Sequence, residues 1–228
     1  MIKRTIGVGI LAALLLGASA TFAADEKAGS FTVDKARKTL TIPAKIAPRK
    51  INDPRYTEIY PIEVVACAEF PKGQKAHETV ITVDAKPSEV HKALEDLGLK
   101  PGKPASPGGG EDAAAEGPEL KISLELPNGK TVPIEKTLVD KKTGKTMPAL
   151  KWHFTGSSMK QLDPNKPDKT YGADFSLTLI GIFPVTDEVV IQSNLTMKDE
   201  PIVKMETNKA LLPPEGTPVK LVITPAKK

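Results

Sequence analysis

Apolar and polar positions alternate along most of this chain, and the alternation predicts strands. The cleanest run sets Leu120, Ile122, Leu124 and Leu126 on one side against Lys121, Ser123 and Glu125 on the other. Asn128-Gly129 follows as a hairpin turn, and 131–134 leads out of it. Further strands are predicted at 31–33, 39–42, 62–70, 78–83, 150–154, 175–183, 189–193, 202–206 and 219–224. The pairs 31–33 with 39–42 and 62–70 with 78–83 read as hairpins, the second turning at Pro71-Lys72-Gly73. One segment, 87–97, has the helical period instead. Val90, Leu94 and Leu97 share a stripe, Pro87 suits the first helical position and Gly98 suits the stop. His91 lies off that stripe and reads as solvent-facing. Residues 159–170 are polar and read as a loop. Residues 102–117 contain Gly108-Gly109-Gly110 and no large apolar side chain, and read as a flexible low-complexity insertion. The fold class predicted is α+β, mainly antiparallel β-sheet with one prominent helix packed on it.

The N-terminus follows a different pattern. Lys3 and Arg4 precede an apolar run at 6–17, and small residues fill 18–24. This order reads as a signal peptide over 1–23, cut after Ala23, with a cut after Ala20 as the competitor. The apolar run is about a dozen residues, short of the roughly 20 a spanning helix needs. The expectation is an exported protein, periplasmic or secreted, with one domain at 30–225 and no stable membrane anchor after cleavage. Losing Lys3 and Arg4 and no acid lowers the formal charge from +4 to +2. The remaining lysines are scattered and the chain has 4% aromatics, so nucleic acid is not expected as a partner. The single cysteine, Cys67, excludes an intramolecular disulfide and an all-cysteine metal or iron–sulfur site within one chain. In an oxidising compartment a lone thiol is expected to be buried.

The segment 62–102 carries a resemblance. It joins an apolar strand, the Gly73 turn, the pair His77-Glu78 at the start of the next strand, and a helix ending in Leu97-Gly98-Leu99-Lys100-Pro101-Gly102. Trp152-His153-Phe154-Thr155-Gly156-Ser157 forms a second matching segment. Together these resemble the YdjY domain family of bacterial envelope proteins. The resemblance implies an envelope protein and brings no activity with it. Some relatives carry a ferredoxin-like label, which one cysteine makes chemically untenable for this chain.

The ligand-binding candidates are His77, Glu78, Trp152, His153 and Ser157. On a strand His77 and Glu78 point to opposite faces. As a functional pair, His77 is a ligand or general base. As a structural pair, His77 bonds a carbonyl and Glu78 pairs with a lysine. Trp152 and Phe154 either plug the core or, with His153 and Ser157, form a ligand-binding lip. No nucleophile elbow, phosphate loop or dinucleotide fingerprint is present. No catalytic residue, metal ligand or cofactor is therefore assigned. The favoured function is a non-catalytic binding or interaction domain for an envelope protein or small-molecule ligand. The alternative is a metal- or cofactor-dependent enzyme with a site around His77, Glu78 and His153. A third reading is self-association through sheet edges.

Overall fold

The computed structural model describes residues 26–28 and 30–226, so the signal-peptide reading of 1–23 lies outside the described residues. The first strands are β1 (Glu26–Ala28), β2 (Phe31–Asp34), β3 (Thr39–Ile46), β4 (Val64–Cys67) and β5 (Thr79–Val83). Helix α1 (Pro87–Asp96) comes next. It is followed by β6 (Glu119–Glu125), β7 (Thr131–Pro133), β8 (Leu138–Asp140), β9 (Trp152–Phe154), β10 (Met159–Lys160) and β11 (Thr170–Tyr171). A short helix, α2 (Gly172–Ser176), precedes β12 (Thr178–Gly181), β13 (Ile191–Ser193), β14 (Met205–Thr207) and β15 (Pro218–Pro225).

Eight strands close a barrel in the order β3-β15-β6-β9-β13-β12-β4-β5, with β5 returning to β3. The closing pairs are Ala44 with Val83 and Ile46 with Ile81. This corrects the predicted α+β sheet: the described residues are mostly β, closed into a barrel, and the two α-helices among them are short. Alternation says that a strand has a buried face, not that the two ends of a sheet meet. Closure here depends on β3, which is long enough to hold three partners. β15 runs along one edge, while β2 and then β5 share the other.

The interior is filled as the alternation requires. Leu40 and Ile42 of β3, Leu120, Ile122 and Leu124 of β6, and Val219, Leu221 and Ile223 of β15 are all buried. Each such side chain contributes about 1.5–3 kcal/mol of burial. β4, β5, β12 and β13 are buried on both faces, so their sequences run apolar without alternation. The outer face of β4 is covered by a second cluster of Ile51, Cys67 and Ala76, flanked by Tyr56 and Phe70.

Two local expectations are also revised. β4 and β5 are parallel rather than a hairpin, because residues 68–78 carry the chain back before β5 begins. The predicted strand 175–183 begins as α2; Leu177, at φ 53°, turns the chain out of it and into β12. The 102–117 segment is tethered at several points. Gly102 donates to Phe154 O at 3.0 Å, Lys103 and Glu116 bond each other, and the buried Gln192 side chain bonds both backbone groups of Ala105. α1 buries Val90, Ala93 and Leu94 in the main core, and its Ser88 N–H donates to Asp174 of α2 at 2.8 Å. Among the described residues no helix is long and apolar enough to cross a membrane.

Candidate functional site

His77 and Glu78 occupy a single 3-10 turn, Ala76–Glu78, at the entry to β5. The turn places both side chains in one cluster, which a strand would not. The 48–62 segment folds over them. Tyr56 stacks on the His77 ring with centroids 4.4 Å apart, and Tyr60 meets it edge-on at 5.1 Å. His77 Nδ1 is buried without a hydrogen-bond partner, and Nε2 lies 3.7 Å from Glu78 Oε1. Burial, reinforced by the Lys75 ammonium, lowers the His77 pKa below its ordinary 6.5. Glu78 is ion-paired with Lys75, which also reaches Glu63 Oε2 at 3.3 Å. Desolvation and the neighbouring Glu78 carboxylate raise the Glu63 pKa.

Arg49, missed in the sequence, anchors this cluster from behind. It donates to Glu206 Oε1 at 2.7 Å, to His77 O at 3.3 Å and to Tyr60 O. Its side chain is only 6% exposed. Burial pushes the Glu206 carboxyl up, but the hydrogen bonds from Arg49 and Thr207 outweigh it and leave the pKa lowered. No local signal marked it: Arg49 stands beside Lys50 in a short polar stretch, which names no partner. Cys67 is fully buried and its thiol is pushed up to about 12 by desolvation, so it is held as a neutral thiol.

Trp152, His153 and Phe154 lie on β9. In a ring of eight, β9 and β5 stand four places apart, on opposite walls. Trp152 and Phe154 are buried, while the His153 ring nitrogen Nδ1 contacts Gly117 O at 3.0 Å. His77 and His153 are therefore not brought together. Among the described residues no group of three or more His, Cys, Asp or Glu side chains is placed to hold a metal ion.

Ser157 belongs to a third cluster. Its N–H donates to Tyr171 Oη at 3.1 Å, and its Oγ accepts from Ala173 N–H at 2.9 Å. Tyr171 Oη also bonds His91 Nδ1 at 2.6 Å. His91 is thus not solvent-facing: its ring packs edge-on to Phe154 at 5.0 Å. Gly156 makes this approach possible, since at φ 63° a Cβ there would sit 3.1 Å from His91 Cε1. Sequence reasoning paired Ser157 with Trp152 and His153; the structure pairs it with His91 and Tyr171.

Three surface clefts have volumes typical of small-ligand sites. One of about 530 Å³ is lined by Phe70, Pro71, Pro43 and Lys45. A second, of about 520 Å³, includes Arg49, Lys209 and Glu215. A third, of about 580 Å³, includes Leu150 and Trp152.

A family model described as the YdjY domain matches residues 31–224. No curated protein and no solved structure matches the chain.

Proposed function

The chain belongs to the YdjY domain family, and from that premise we propose that it is an exported envelope protein acting as a non-catalytic binding or interaction domain. One observation carries the reading. The side chains able to do chemistry are divided among three clusters, and most of them are tied into the fold. Glu78 is ion-paired with Lys75, His153 contacts the Gly117 carbonyl, and Ser157 and His91 meet at Tyr171. General acid–base or nucleophilic work needs such groups convergent on one reacting atom. The surface instead offers separate clefts on a closed β scaffold.

Export is supported by the charge, apolar and small-residue order of residues 1–23. The test has two parts. Cell fractionation should place the protein in the envelope or medium, with an intact mass that lacks the first 23 residues. Purified mature protein should show no hydrolytic or redox turnover; an activity abolished by His77→Ala or Ser157→Ala would overturn the binding reading.

A further inference from the structure

Along one edge β6 changes partner. Glu119 and Leu120 pair with β9, whereas Ser123, Leu124 and Glu125 pair with β7. Among the described residues Lys121 and Ile122 have no strand partner on that edge, while β15 holds the other. Two residues of strand span about 7 Å. The third cleft, of about 580 Å³, opens here. Its lining mixes both faces of β6, with Lys121 and Ser123 from outside and Leu120 and Ile122 from inside. The cleft spans this gap in the strand pairing, a window in the wall that is backed by the buried side chains of Leu120, Ile122 and Trp152.

Trp152 lines the same cleft. It is 1% exposed, and its Nε1 has no hydrogen-bond partner. A buried indole N–H ordinarily finds an acceptor, so this one is an unfilled donor. Leu150 and Pro133 supply apolar surface beside the opening.

We propose that this window is a binding site for a slender amphipathic ligand carrying an acyl carbonyl, an amide or an ester, which accepts the hydrogen bond of Trp152 Nε1. The apolar body lies against Leu150 and Pro133, and the carbonyl goes inward. This deepens the binding-domain reading and rests on it.

The chain has one tryptophan, so its fluorescence reports on this window alone. The mature protein is titrated with hexanamide, and with hexylamine as the matched chain lacking a carbonyl. Hexanamide should change the emission saturably and hexylamine should not. Trp152→Phe keeps a ring and deletes the donor; its calorimetric affinity for hexanamide should fall about tenfold. Ser123→Phe alters only the outer face and fills the opening; it should abolish the emission change while the thermal transition remains. A flat hexanamide titration, an equal response to hexylamine, or undiminished affinity in Trp152→Phe would overturn the proposal. A flat titration removes the window alone. Turnover lost in His77→Ala or Ser157→Ala removes the binding-domain reading whatever the titration shows.

Discussion

At His77 the surroundings decide what a proton does. The folded ring has a lowered pKa, so the unfolded chain binds the proton more tightly. Stability contributed here is present above 6.5 and is lost as the pH falls through that value toward the lowered one. Glu63 has the opposite sign: its raised pKa stabilises below 4.5, and that contribution is lost as the pH rises through the folded value. In His77→Gln the decline of melting temperature as the pH falls below 6.5 should therefore flatten; an unchanged slope would refute the assignment. Arg49 makes a different prediction. Its guanidinium is buried against Glu206, so Arg49→Ala leaves a partly buried carboxylate without its cation. The loss should be about 3 kcal/mol in denaturant unfolding, far above the 0–1 kcal/mol of an exposed pair. The Glu78–Lys75 pair was legible because its partners are three residues apart. The stacking of Tyr56 on His77 was not, since nothing local ties the 48–62 segment to that turn.

Among elements, what the chain spells locally was readable and what depends on a distant neighbour was not. The periodicity of β6 and α1 is carried by their own side chains, and both form where the pattern places them. The parallel pairing of β4 with β5 depends on the path of the intervening turn, which carries no periodic signal. In the 102–117 segment, Gln192 on β13 bonds Ala105 through both backbone groups, a contact no local pattern spells. Gly117 at its end has φ 140°, and a Cβ there would lie 2.1 Å from Phe154 O. Gly117→Ala must therefore shift backbone against β9. We expect a loss of about 2 kcal/mol, with hydrogen exchange faster through 102–117 and β9 than through β3. Gly98→Ala is the control: its φ of 89° strains an alanine, but no atom lies within 4 Å of the added carbon. It should not loosen β9.

At the scale of the whole molecule, the barrel is completed by the end of the chain. β15 lies between β3 and β6, pairing with six residues of each. β3 belongs to the first quarter of the sequence, so this contact spans about three quarters of the chain. Loop-closure entropy must be met before such a contact forms, which makes folding slow and concentrates cooperativity on the last strand. Without β15 the inner faces of β3 and β6 are exposed together, uncovering Leu40, Ile42, Ile122 and Leu124 to water. β1, by contrast, pairs only with β2 and lies outside the ring. Deleting 218–228 should abolish the cooperative thermal transition and expose dye-binding apolar surface, whereas deleting 24–28 should leave the transition within a few degrees. Cooperative melting retained by the C-terminal deletion would mean that β3 and β6 can be held without β15, and the closed barrel would then not be the unit that folds.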